Sequence, residues 1–208
     1  MGADYAPAIA KRGHIHRFFL PMFLHDGFLH ILFNVWSFWV FGFKVEKDLG
    51  LGLKPKIFYI LILFISHFCG SLMSALFAPN SLSVGFSAAI YGLFAIFVVW
   101  FFMHFRQLGG FKNIFTIIIL IMIVLMVVSL ITPSDKVNAF GHLGGLFAGI
   151  MIAPLAIKND TEVSAVKWKR CQLGGLIILT VYLIVFTIVM FARKYGCESY
   201  NCAFICWV

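Results

Sequence analysis

Apolar residues run along this chain in blocks, and charged residues are confined to the segments between and beyond them. Six blocks stand out: Phe28–Phe43, Ile57–Phe77, Val84–Met103, Ile114–Ile131, Ala139–Ile157 and Leu173–Ala192. Crossing a bilayer core takes about 17–25 predominantly apolar residues as a helix. Five blocks meet that length and Phe28–Phe43 falls just short of it. A backbone in lipid must satisfy its own hydrogen bonds, and a helix does so within one segment. The pattern therefore predicts an all-α fold, a polytopic transmembrane helical bundle, with little chain left over for a separate soluble domain.

Composition agrees with the pattern. The chain is 62% hydrophobic and 12% charged, where a soluble domain carries roughly a quarter charged residues. The formal net charge of +8 does not point to nucleic acid, because the basic residues sit at the ends of the blocks. Ten of them fall in one set of alternate connections: Lys44, Lys47, Lys54, Lys56, Arg106, Lys112, Lys158, Lys167, Lys169 and Arg170. The other set has six, namely Lys11, Arg12, Arg17, Lys136, Arg193 and Lys194. The positive-inside rule places the first set in the cytosol and both termini outside or in a lumen. Cys197, Cys202 and Cys206 then lie in an extracytosolic tail where disulfides are permitted, with connectivity left open. Cys69 and Cys171 stand alone and are read as structural or inert.

Polar side chains inside a span are costly and mark candidate sites. The first, third and fifth blocks hold them, and alternation makes these three run in the same direction. His30 and Asn34, Ser87, and His142 all fall within about the first two turns of their blocks. At 1.5 Å per residue, Ser87 and His142 would lie roughly 5 Å below one surface. His30 and Asn34 are four apart and share a helix face, as do Ser87 and Tyr91. Gly141, Gly145 and Gly149 form a ladder of small residues that lets a neighbouring helix come close. Gly85, Ala88 and Gly92 supply small residues around Ser87. Close approach of these two helices would bring Ser87 within hydrogen-bond reach of His142.

That set of side chains suits acyl transfer. A serine hydroxyl becomes nucleophilic when a base takes its proton, and histidine is the usual base near neutral pH. The oxyanion that follows needs donors already in place, which His30, Asn34 and a backbone amide can supply. The blocks offer no acidic third member, so a Ser-His dyad is expected. "HDGFLH" lacks the H-E-x-x-H spacing of a zinc hydrolase. No glycine-rich nucleotide loop appears, so no metal or organic cofactor is indicated.

Three motifs in order, "HRFFLPMFLHDGFLHILFNVW", "GFSAAIYG" and "GHLGGLFAG", resemble those of the rhomboid family of intramembrane serine proteases. The resemblance covers roughly Arg17 to Ile157. It implies a six-helix core, a water-filled cavity opening outward, Ser87 as nucleophile and His142 as general base. It implies an oxyanion hole of His30, Asn34 and the Ser87 amide, with Tyr91 beside His142 and Gly85, Gly145 and Gly149 in support. His25 and Glu46 match structural positions, and Arg17 matches the arginine of a Trp-Arg pair. The implied substrates are single-pass or other transmembrane proteins in the lipid bilayer, with small residues at the cut and helix breakers beyond it.

On this reading residues 1–19 are an extracytosolic lead-in and loop, and 20–158 the rhomboid-like catalytic membrane core. Residues 159–172 are a cytosolic loop with "VKWKR" as an interfacial anchor, 173–192 an additional C-terminal transmembrane helix, and 193–208 the Cys-containing tail. Three features depart from the family pattern. Ala88 follows the serine where glycine is usual, His16 replaces the tryptophan before Arg17, and no apolar block precedes Arg17 where a first core helix is expected. A truncated gene model, a fragment or a degenerate paralogue would share that last feature. The alternative function is an inactive rhomboid-like protein that binds membrane clients for trafficking or degradation. Inactive relatives lose the serine or the histidine, and this chain has both. His67 and His104 are expected to be satisfied structural histidines. Oligomeric state, substrate identity and the particular membrane are left open by the sequence.

Overall fold

A computed structural model of the chain describes residues 2–48, 55–131, 138–159 and 163–195. The three tail cysteines lie outside the described residues. The N-terminal segment forms a short helix α1, Ala6–Arg12, which starts with Pro7 in its first turn and stops at Gly13 in the left-handed conformation. Pro early and Gly late is the usual asymmetry of helix ends. Two 3-10 turns, Ile15–Phe18 and Leu20–Phe23, lead into the membrane helices. These are α2 (Phe28–Asp48), α3 (Pro55–Phe77), α4 (Ser87–His104), α5 (Phe111–Ile131), α6 (Ala139–Ala156) and α7 (Ala165–Ala192). All six are long and apolar enough to cross a membrane.

Burial decides the layout. Of the span in α4, 67% is buried, against 11% of Phe111–Val128 in α5. Helix α4 is therefore the central post, packed by α2, α3 and α6, while α5 stands at the periphery. Its companions reach it through small residues. A Cβ added to Gly145 would run into the Ala88 carbonyl, and one on Gly149 into the Gly92 carbonyl. Between α3 and α6, a Cβ on Gly144 would meet the Cys69 carbonyl at 2.5 Å, and one on Gly70 would meet the Gly141 carbonyl at 2.6 Å. Between transmembrane helices, where lipid is as apolar as leucine, such close backbone contact is the main source of association.

Several boundaries differ from the hydropathy blocks: α2 runs on to Asp48 past Phe43, and α3 and α5 begin at Pro55 and Phe111, ahead of Ile57 and Ile114. Helix α4 starts at Ser87 and not Val84, because the preceding residues bond elsewhere. Ser83 forms an antiparallel bridge with Asp4, and the Gly85 N–H donates to the Pro21 carbonyl at 2.9 Å. Gly85 sits at φ +126, a conformation open to glycine and strained for any other residue. Helix α7 starts at Ala165, eight residues ahead of the expected Leu173, so "VKWKR" is helical and not a loop. Ser164 caps it by accepting from the Lys167 N–H at 3.4 Å. Long basic side chains can extend from a helix end toward water while their stems stay on apolar surface, so the helix has no reason to stop at the charges. Helix α7 is also integral to the bundle. The Tyr182 hydroxyl donates to the Cys69 carbonyl at 2.8 Å, and Gly175 lies directly against the Met151 carbonyl.

Gly145→Val should lower the thermal stability of the detergent-solubilised protein by about 1–3 kcal/mol or prevent folding, because the obstacle is backbone. Gly174→Ala should instead be neutral or stabilise by up to about 1 kcal/mol, since nothing lies within 4 Å of that position. Melting curves of the two variants test both signs.

Candidate active site

Ser87 is the first residue of α4, and no side chain caps that helix. The amides of its first turn therefore point into the space before the helix without an intrahelical partner. Ser87 Oγ and His142 Nε2 are 2.8 Å apart. His142 lies in the first turn of α6, and its ring stacks on Tyr91 with centroids 4.4 Å apart and planes inclined by 21°. Tyr91, one turn below Ser87, thus holds the imidazole flat while the glycine contact of α4 and α6 sets its distance. When Nε2 accepts the serine proton, the ring's other proton sits on Nδ1. Among the described residues no protein group hydrogen-bonds the buried Nδ1, so no third side chain extends the Ser87–His142 contact.

His30 and Asn34 come to the same place from α2. The Asp26 N–H donates to His30 Nδ1 at 3.3 Å, which makes Nδ1 the acceptor and leaves Nε2 carrying the proton. That Nε2 lies against Gly85. A Cβ at Gly85 would meet the ring at 2.8 Å, with Asn34 Nδ2 3.7 Å from the same point. Asn34 is buried. One of its two N–H groups donates to the His30 carbonyl at 3.1 Å, and the other remains available. His25 stands edge-on to His30 with centroids 5.2 Å apart. Burial, reinforced by His30, lowers the His25 pKa from its ordinary value, which favours the neutral ring.

These groups open onto a cavity of about 640 Å³ between α2, α4 and α5. Asp26, His30, Asn34, Ser87 and His142 form its polar end, and Trp36, Ile118 and Leu125 belong to its apolar wall. An apolar pocket with a few convergent polar groups has the usual form of a binding site. Among the described residues no group of three potential metal ligands occurs.

The sequence carries the same signature as a whole. The family model of the Rhomboid domain matches residues 12–159. The chain belongs to the rhomboid family. Rhomboid-like protease 1 of Toxoplasma gondii is 34% identical to it over 165 residues, 78% of this chain and 54% of that protein. RHOMBOID-like protein 7 of Arabidopsis thaliana is 25% identical over 197 residues, 88% and 60% of the two lengths. Rhomboid-like protease 3 of Toxoplasma gondii is 28% identical over 190 residues, 89% and 67% respectively. The chain spans about half to two thirds of the length of these relatives. Family membership and six apolar helices make it an integral, multi-pass membrane protein.

Several rhomboid positions take a clearer shape in the structure. Ala88 turns its methyl toward Gly70 on α3, since a Cβ on Gly70 would meet it at 2.7 Å. It does not line the large cavity, so the extra methyl stays out of the space before Ser87. Arg17 is almost fully buried, with Nη1 donating to the Ala3 carbonyl at 3.0 Å. Glu46 is exposed near the end of α2. His104 is satisfied by the Trp100 carbonyl at 2.9 Å. His67 is not satisfied, contrary to expectation. It is buried, neither ring nitrogen has a protein partner among the described residues, and it lines a small cavity behind Ser87 and His142.

Asn138 escaped the sequence reading. Its Oδ1 accepts from the Gly141 N–H at 2.8 Å and its Nδ2 donates to Ser83 Oγ at 2.8 Å. It thereby caps the helix that carries His142 and ties it to the strand-like segment before Ser87. An asparagine immediately ahead of an apolar block is a cap signal, and that was the available clue. Asn138→Ala should cost about 1 kcal/mol through the lost cap, measured as a lower melting temperature of the purified protein.

Proposed function

We propose that this chain is a serine endopeptidase that hydrolyses peptide bonds in or near transmembrane segments, with Ser87 and His142 as its catalytic dyad. The observation that carries the reading is the 2.8 Å contact between Ser87 Oγ and His142 Nε2. His142 takes the hydroxyl proton as Ser87 attacks the scissile carbonyl carbon. The resulting oxyanion is held by the Ser87 N–H, His30 Nε2–H and the free N–H of Asn34. The intermediate collapses when His142 returns its proton to the leaving amine, which frees the new N-terminus and leaves an acyl-enzyme. A water molecule, deprotonated by His142, then releases the acid and regenerates the hydroxyl. Such donors are worth more in a site shielded from bulk water.

The cavity supports a membrane-borne substrate. A peptide bond in a helix keeps its carbonyl engaged, so cleavage requires the segment to unwind. The polar end of the space between α2 and α5 gives an unwound segment donors for its freed carbonyls. The excess of basic residues in the opposite connections supports an extracytosolic position for this end of the bundle. The client-binding alternative gains nothing from the geometry, because holding a client requires no serine hydroxyl within reach of an imidazole.

In liposomes carrying a fluorescent transmembrane reporter peptide, Ser87→Ala and His142→Ala should each lower turnover by about 10³-fold or more. Asn34→Ala should lower it by about 10²-fold, the loss expected for one oxyanion donor. Turnover at the native rate in Ser87→Ala would overturn the assignment.

A further inference from the structure

Behind the dyad, on the side away from the large cavity, lies a chain of contacts that begins in the N-terminal segment. Asp4 is buried. Its backbone pairs with Ser83 in both directions: the Asp4 N–H donates to the Ser83 carbonyl at 2.8 Å, and the Ser83 N–H donates to the Asp4 carbonyl at 3.1 Å. Its carboxyl hydrogen-bonds the hydroxyl of Ser71 on α3 and lies in the field of Arg17. Ser71 and Ser83 both line the cavity of about 10 Å³ that also touches Ser87, Gly141 and His142. Ser83 in turn accepts from Asn138, the cap of the His142 helix.

Each of these links could be a generic packing contact, but a buried carboxyl is not generic. Removing a carboxyl from water is costly unless partners compensate it, and a hydrophobic residue could form the same backbone bridge. We propose that Asp4 is a positioning residue for the Ser87–His142 pair, acting through Ser71 and through residues 83–86 to hold the approach to α4 against the start of α6. This rests on the protease reading given above.

The surroundings of the carboxyl give a second handle. Burial pushes its pKa up to about 7 from an ordinary 3.8, opposed by the Ser71 hydrogen bond and by Arg17. The titratable groups nearby are Arg17, His14, whose Nδ1 accepts from Arg17 Nε at 3.3 Å, and His67, one turn before Ser71 on α3. The folded state binds the Asp4 proton more tightly than the unfolded chain. Stability from this group is therefore full below about pH 4 and declines as pH rises toward about 7. Asp4→Asn cannot ionise, so its melting temperature should gain on the native protein between pH 5 and pH 8. A gap that stays constant over that range would show that the carboxyl does not titrate as a buried group, and would overturn the assignment.

The kinetic test compares fluorophosphonate labelling rates per folded molecule for the full chain in detergent. Asp4→Ala should slow labelling by roughly ten- to hundred-fold, the scale of loss when reacting groups are misplaced by about 1 Å. Asp4→Asn, which keeps the bridge and can still hydrogen-bond Ser71, should restore most of the rate. Ile9→Ala serves as the control, since Ile9 is fully buried in the same segment away from the bridge. It should lower the melting temperature and leave the labelling rate unchanged. Equal slowing in Ile9→Ala and Asp4→Ala would make Asp4 merely structural and overturn the proposal, as would unaltered labelling in Asp4→Ala. If Asp4→Ala does not fold, Ser71→Ala interrogates the same link, and native-rate labelling there would also overturn it. Native protein that folds but takes no label would defeat the protease reading itself, and the proposal with it. A labelled native protein with unslowed Asp4 and Ser71 variants would defeat the proposal alone.

Discussion

The backbone contact between α4 and α6 is the constraint on which the rest of the molecule depends. Gly145 faces the Ala88 carbonyl and Gly149 the Gly92 carbonyl, so the two helices meet without side chains between them. Ser87 lies one residue before the first contact and His142 one turn before Gly145. The serine–histidine distance is thereby set by main-chain packing, which has few ways to relax. The same need for closeness recurs at Gly70 and Gly144 on the α3 side. Three helices thus pack through glycine at one level, and that level is where the polar residues are found.

Around this fixed pair the other parts divide into rigid and exposed sets. The rigid set includes the Tyr91 stack, the Asn138 cap and the Asp4–Ser83 bridge, each of which braces an end of α4 or α6. The exposed set is α5, of whose span only 11% is buried, and which forms one wall of the large cavity. Such a division fits the proposed protease, which would hold its reacting atoms still while admitting a segment from the membrane.

Much of this was legible in the sequence, for physical reasons. A histidine, an asparagine and a serine are rare enough in apolar blocks that their presence demands a use, and four-residue spacing showed which ones share a face. The glycine ladder from Gly141 to Gly149 announced the close approach. The start of α4 was not legible, because Val84 and Phe86 are as apolar as any residue in the helix and the φ of Gly85 leaves no mark in hydropathy. Helix α7 extended to Ala165 because a basic stretch continues a helix as readily as it forms a loop. The bridge from Asp4 to Ser83 spans most of the distance to the nucleophile along the chain, and no local pattern encodes such a pairing. His67 was misjudged since only the packing of α3 shows that its ring nitrogens have no protein partner.

The most direct measurement is peptide mass spectrometry of the folded protein after treatment with a fluorophosphonate. A serine activated by His142 predicts a single adduct on Ser87, lost when His142 is replaced by alanine. An adduct on another residue, or none on a well-folded sample, would contradict the account.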